Sequence, residues 1–434
     1  MRRLIMENLQ KWKDQRHRKP LILRGARQVG KTWAVINFGN QFFDGRIHVV
    51  NLEKRPDWHR VFDKNFDIRR ILMELEILMN TRIIPGKDLL FLDEIQSCPK
   101  AITSLRYFHE ETPELHVIGA GSLLEYAMRD IPFPIGRAQF LNLHPMNFVE
   151  FLLALGKEKE AEIIVSTPRR LSESVHNLLL EDLRNYMFIG GMPECVQRYV
   201  ETGNIMESLK VHSDLAASFR EDFPKYAPYS DKRCLNAVFS SVARSVGRQI
   251  KYSRLSDDFS NPTIKKAFDL LCLARVIRRI PSANPSGLPL GASVSSKKFK
   301  ALMVDIGLMQ SLCGMALDTE YSQIDLLKIY KGALAEQFAG QEFISAGQEE
   351  LYYWDREAKS SSAEVDFLLQ KGGGIYPVEV KSGASGRLKS LHLFLKTYPH
   401  VTSGYIFSCA SYAEIREEKM IFLPLYYAYS CAKK

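Results

Sequence analysis

The segment Gly25-Ala26-Arg27-Gln28-Val29-Gly30-Lys31-Thr32 constrains this chain more than any other. It fits G-x-x-x-x-G-K-[ST], follows the apolar run Leu21–Arg24 and leads into a segment of helical type. Glycines at both ends let the backbone curl so that successive N–H groups point inward, beside the positive end of the next helix, and so cradle phosphate oxygens. Lys31 supplies a mobile cation for the outer phosphates, and Thr32 a hydroxyl for magnesium. All eight residues are candidate nucleotide contacts, and the surrounding fold is expected to be α/β with a parallel sheet.

By average residue usage the pattern arises by chance in on the order of one chain of this length in a hundred, so a second element is needed. Asp88-Leu-Leu-Phe-Leu-Asp93-Glu94 supplies it, an apolar strand ending in two adjacent carboxylates. Asp93 is expected to hold magnesium through water and Glu94 to polarise the attacking water, which makes ATP and Mg2+ the expected ligands. Further apolar runs at Ile47–Leu52 and Leu115–Gly119 extend the parallel sheet, and Gln139–Leu143, less continuous, is a candidate fifth strand. Ser122, just past one of them, is a candidate sensor of the terminal phosphate. Arg137 has two readings, a cation reaching a phosphate in its own or a neighbouring copy, or a surface ion pair. The neighbouring-copy reading requires a homo-oligomer.

With these residues in place, the chain resembles the bacterial and archaeal AAA-like ATPases that carry a C-terminal domain of unknown function. Besides the phosphate loop and Phe91-Leu-Asp-Glu-Ile-Gln96, the resemblance rests on Gly119-Ala-Gly-Ser-Leu-Leu-Glu125, Gly190-Gly-Met-Pro-Glu194, Glu364-Val-Asp-Phe367 and Val378-Glu-Val-Lys-Ser-Gly383. It implies a P-loop NTPase of the additional-strand class, followed by a winged-helix module and a restriction-endonuclease-like α/β domain. The expected boundaries are residues 1–150 for the ATPase, 151–224 for a helical connector, 225–310 for the winged helix and 320–434 for the last domain.

Charge matters through its distribution. Between Lys225 and Lys300 there are 15 Lys or Arg against 4 Asp, while the rest of the chain carries 44 against 46. Leu235, Val238, Phe239, Val242 and Val246 recur at helical spacing. A short helix is expected at Ser253–Phe259, and a third runs from Asn261, as N-cap, to Ala274. Strands at Val276–Ile280 and Phe299–Val304, joined by an exposed loop over Pro281–Gly291, complete a wing. Arg248, Lys251, Arg254, Lys265 and Lys266 are the candidate DNA contacts. The alternative is a protein-binding module whose basic face meets an acidic domain.

The last domain is expected to open near Ser322 with a helix carrying Leu327, Tyr330, Leu334 and Phe338, followed by strands at Glu350–Trp354, Glu364–Leu369 and Ile375–Val380. Alternation puts Glu379 and Lys381 on one face of their strand. With Asp366, this spacing resembles the restriction-endonuclease-like fold, in which the acids hold magnesium and the lysine orients water; Glu336 matches the family's additional acid. Nuclease activity and an inactive scaffold both remain open. The alternative for the whole chain is an ATP-dependent signalling or assembly switch. The seven cysteines lie far apart with no metal-ligand spacing, no apolar run reaches the ~20 residues of a spanning helix, and the charged N-terminus lacks a leader-like core. A reduced, cytoplasmic protein without a membrane partner is the expectation.

Overall fold

The computed structural model describes residues 1–122, 124–127, 136–226, 231–314, 331–358, 361–381 and 388–433. Ser322, Leu327, Tyr330, Leu123, Ser382 and Gly383, which the sequence reading used, lie outside them. The chain divides into two compact units, Arg3–His144 and Pro145–Lys434 with Met1–Arg2.

The first unit is a parallel sheet of β1 (Leu21–Arg24), β2 (Ile47–Asn51), β3 (Leu89–Asp93), β4 (His116–Gly121) and β5 (Gln139–Asn142), in the order β2-β3-β4-β1-β5. Helices such as α1 (Lys31–Phe42) and α2 (Pro99–Glu111) connect the strands. Strand β3 is buried throughout, as its unbroken apolar run requires of a strand covered on both faces. Strand β4 stands between β1 and β3, so the phosphate-loop strand and the acidic strand are separated by one strand. Register aligns Arg24 with Gly121, Asp93 with Ala120 and Asn51 with Asp93. The carboxyl ends of four strands therefore share one edge, where ligands of open α/β sheets bind.

In the second unit, α3 (Phe148–Ala154), α4 (Glu173–Ile189), α5 (Pro193–Thr202) and α6 (Ile205–Tyr226) precede α7 (Lys232–Ser245) and α8 (Asn261–Leu273). The Gly-Gly-Met-Pro segment has a packing reason. Gly190 takes φ 69° to end α4, and a Cβ on Gly191 would lie 2.0 Å from the Met146 carbonyl oxygen. The Gly191 N–H donates to the buried Asp305 carboxylate at 2.5 Å.

In α7 the predicted stripe Leu235, Val238, Phe239 and Val242 is buried. The expected second helix is only a 3-10 turn, Tyr252–Arg254, because Ser256, Asp257 and Asp258 follow and Ser256 Oγ accepts the Asp258 N–H. Ser260, in extended backbone, occupies the N-cap position of α8, and Asn261 is its first helical residue.

The hairpin β6 (Ile277–Ala283) and β7 (Val294–Met303) is longer than expected, taking in Pro281 and burying Ser282 and Ala283. It continues into an eight-stranded sheet, because β6 meets β8 (Tyr352–Ala358) at Ser282 and Tyr353. Strands β9 (Ser361–Lys371), β10 (Gly374–Val380), β11 (Gly404–Ser408), β12 (Ala413–Ile415) and β13 (Met420–Pro424) complete it, in the order β12-β13-β11-β10-β9-β8-β6-β7. The next helices are α9 (Ile306–Cys313) and α10 (Lys331–Ser345). Leu334 and Phe338 of α10 are buried as predicted, but so are Glu336, Gln337, Gln341 and Glu342. Gln337 bonds both backbone groups of Met303, Gln341 accepts the Ile306 N–H, and Glu342 accepts the Phe148 N–H at 2.9 Å. This polar ladder satisfies backbone groups that secondary structure leaves unpaired.

Candidate functional site: a phosphate loop and an acidic strand end

The loop departs from β1 at Gly25, where a Cβ would lie 2.3 Å from the Leu143 carbonyl oxygen, so only glycine passes there. Gln28 takes φ 64° and Gly30 φ 90°, which curls the backbone, and Gly30 is the N-cap of α1. Ala26 and Val29 are buried beneath the loop, while Arg27 and Gln28 complete its turn. Lys31 opens the helix with 8% of its surface exposed and donates to the Gly25 and Ala26 carbonyls at 3.1 and 2.8 Å. Burial lowers its pKa to about 8, against the raising influence of Glu94, Asp93 and Glu125.

Thr32 and Asp93 meet directly. The threonine hydroxyl donates to Asp93 Oδ1 at 3.0 Å, and Asn51 at the end of β2 donates to Oδ2 at 2.9 Å. Burial and the neighbouring Glu94 push the Asp93 carboxyl upward, while the bonds from Thr32 and Asn51 hold it down. A hydroxyl and a carboxylate side by side at the phosphate loop are hard oxygen donors of the kind Mg2+ takes, so these residues fit that ion.

Glu94 follows in the left-handed region, at φ 49°, and its Oε2 accepts from Gln96 Nε2 at 2.5 Å. Strand β4 makes room for this turn. A Cβ on Gly119 would meet Ile95 at 2.9 Å, and one on Gly121 would meet Gln96 Oε1 at 1.9 Å. Ser122 is buried one residue beyond Gly121, at the shared strand edge. Glu125, from the same motif, lies 3.9 Å from Arg24.

Within its own chain Arg137 takes the position of the surface ion pair, the second of its two readings. It precedes β5, whose first residue Gln139 registers with Leu21, the first residue of β1. That is the sheet edge opposite the phosphate loop. Its guanidinium pairs with Glu110 at the end of α2.

The second candidate cluster also differs from expectation. Asp366 and Glu336 do converge, but the cation among them is Lys300 of β7, at 3.0 Å from Glu336 Oε1, 2.5 Å from Glu364 Oε1 and 3.4 Å from Asp366 Oδ1. Burial alone would lower the Lys300 pKa, yet the three carboxylates outweigh it and hold the ammonium charged. Asp366 Oδ2 accepts the Val380 N–H, Glu379 lies near enough for Asp366 and Lys300 both to act on its carboxyl, and Lys381 pairs with Glu379, a member of the same group of acids. Among the described residues no group of three or more His, Cys, Asp or Glu side chains is arranged to hold a metal ion. The predicted magnesium cluster of Glu336, Asp366 and Glu379 therefore does not fit that ion as folded, because a lysine takes its place.

Sequence reasoning missed Asn51, Gln96 and Lys300 as site residues. Asn51 becomes visible once the ends of β2 and β3 are aligned. Lys298 and Lys300 stand two apart on a strand, so they share a face, and both meet acids; Lys298 Nζ lies 2.6 Å from Asp355 Oδ2. The candidate DNA contacts Arg248, Lys251, Arg254, Lys265 and Lys266 are all exposed.

Residues 17–152 match a family model described as an AAA domain; residues 180–319 and 331–427 match two described as domains of unknown function (DUF8612 and DUF4143). No curated protein matches the chain. Among solved structures, the Walker-type ATPase PABY2304 of Pyrococcus abyssi is similar at 15% identity, covering 72% of this chain and 95% of its own, with a TM-score of 0.45. The Aeropyrum pernix ORC1 protein, solved in complex with DNA, matches at 12% identity over 71% of this chain and 90% of its own, with a TM-score of 0.32. The Thermotoga maritima RuvB Holliday junction branch migration motor matches at 17% over 64% and 87%, with a TM-score of 0.30. No helix among the described residues is long and apolar enough to cross a membrane. The family match over residues 17–152 and the geometry of the loop together make the first unit an AAA-like P-loop domain.

Proposed function

We propose that the chain is a magnesium-dependent ATPase. The observation that carries this reading is the hydrogen bond from Thr32 to Asp93, which joins the phosphate loop to the acidic strand with Glu94 adjacent. In this reading the loop N–H groups and the Lys31 ammonium bind the phosphates, and Thr32 with Asp93 holds the magnesium, which would neutralise charge on the outer phosphates. Glu94 orients the attacking water and accepts its proton. Gln96, bonded to Glu94, sets the direction of that carboxylate, and Ser122, buried just past the end of β4, is the sensor of the terminal phosphate in this reading.

The exposed basic residues Arg248, Lys251, Arg254, Lys265 and Lys266 support DNA as the partner of the second unit. A second reading, an ATP-dependent switch whose basic module binds protein, has its own support. Arg278, Lys298 and Lys300, part of the basic excess, pair with Glu349, Asp355 and the Glu336 cluster, so some of that charge is internal. ATP turnover by the purified chain with and without single- and double-stranded DNA, beside salt-titrated DNA binding, separates the two. Stimulated turnover, and binding that weakens steeply with salt and on charge reversal at Lys265 and Lys266, is the expected result. Turnover indifferent to DNA with no binding at low salt gives the module to the switch reading.

A further inference from the structure

Lys300 is one of the most deeply buried charges in the second unit, with 1% of its surface exposed. A primary ammonium has three N–H donors, and here three carboxylates from two elements surround it: Glu336 from α10, and Glu364 and Asp366 from β9. The ring of Tyr353 on β8 adds a fourth face, its centroid 5.4 Å from Nζ. The strand bearing Lys300 is itself fixed. Lys298 is tied to Asp355 at 2.6 Å, and Ser282 on the paired strand β6 donates to the other oxygen of the same carboxylate at 2.5 Å. The ammonium is thus not a surface side chain resting on an acidic patch.

We propose that Lys300 is the resident cation of this carboxylate cluster and keeps divalent metal out of it. The inference rests on the reading of Glu336, Asp366 and Glu379 as one constellation, and is independent of ATP hydrolysis. Two physical reasons stand behind it. The oxygens that would enter a metal's coordination shell, Glu336 Oε1 and Asp366 Oδ1, are turned onto Nζ. A divalent ion a few ångströms from a fixed ammonium would also meet strong repulsion in a buried setting. One oxygen, Glu379 Oε2, is buried with no hydrogen-bond partner among the described residues, so the constellation retains acceptor capacity that a cation of higher charge would use once Lys300 is gone. The hairpin carrying Lys300 therefore acts as a plug, and a metal site appears only when that side chain is removed.

The test is Mn2+ binding to the full chain without nucleotide, followed by electron paramagnetic resonance of the free ion and by melting temperature. Asp366→Asn reports on this cluster, since it leaves the phosphate loop intact. The wild type is expected to bind no Mn2+ that Asp366→Asn removes. Lys300→Met, close in length but uncharged, is expected to gain one bound ion and a Mn2+-dependent rise in Tm, and both should vanish in Lys300→Met with Asp366→Asn. Should Lys300→Met not fold, Lys300→Gln, which keeps donors without the charge, enters the same titration. An Asp366-dependent Mn2+ site in the wild type, or a folded Lys300 variant that binds no ion, overturns the proposal.

Discussion

At the residue scale, Lys31 is a cation held in an unfavourable place. Burial lowers its pKa from 10.5 to about 8, so the charged form predominates below that pH and is lost above it. A bound polyphosphate favours the ammonium, so nucleotide binding must take up a proton once the pH exceeds about 8. ATP affinity should then fall as pH rises through 8, by up to about tenfold per unit, and should be insensitive to this group below it. Titration calorimetry in buffers of different ionisation enthalpy checks this, and an affinity unchanged between pH 8 and 9 without proton uptake contradicts it. The same lowered pKa makes the unfolded chain the stronger proton binder between about pH 8 and 10.5, so Lys31 penalises folding least at the top of that window.

At the element scale, two glycines that look alike in sequence predict opposite results. A Cβ on Gly121 meets the movable end of Gln96, whereas one on Gly191 meets the backbone oxygen of Met146. Gly121→Ala should leave stability and ATP affinity nearly unchanged while slowing turnover, because Gln96 is displaced from Glu94. Gly191→Ala should cost about 1–3 kcal/mol of stability as overpacking. Chemical denaturation of both variants, with turnover of Gly121→Ala, distinguishes them; equal destabilisation by the two would defeat the argument.

Sequence legibility divides along the same line. Four strands of the first unit were legible as near-continuous apolar runs, whereas β5, Gln-Phe-Leu-Asn and only partly buried, carries no such signal and reads only as a possible strand; Lys31, Thr32, Asp93 and Glu94 were legible because each follows directly from an apolar strand or its loop. Asn51, Gln96 and Lys300 were not, since their roles arise from register across strands. Nor was the extent of β6 and β7, because pairing of Pro281 with Phe299 in β7 and of Ser282 with Tyr353 in β8, not propensity, draws those residues into the sheet.

At the scale of the whole molecule, the chain combines an AAA-like P-loop domain with a unit in which Lys298 and Lys300 of the hairpin are paired with carboxylates. Its net charge of +9 therefore overstates the positive surface open to a polyanion. The account's central claim, that this loop and acidic strand end hydrolyse ATP, is tested most directly by measuring ATP affinity and single-turnover hydrolysis together for wild type, Lys31→Ala and Glu94→Gln. Lys31→Ala should bind ATP on the order of a hundredfold more weakly, having lost the cation in the cradle. Glu94→Gln should keep wild-type affinity and lose about 10²–10⁴ in rate, the usual contribution of a positioned base. Wild-type hydrolysis by Glu94→Gln, or unaltered binding by Lys31→Ala, would contradict the account.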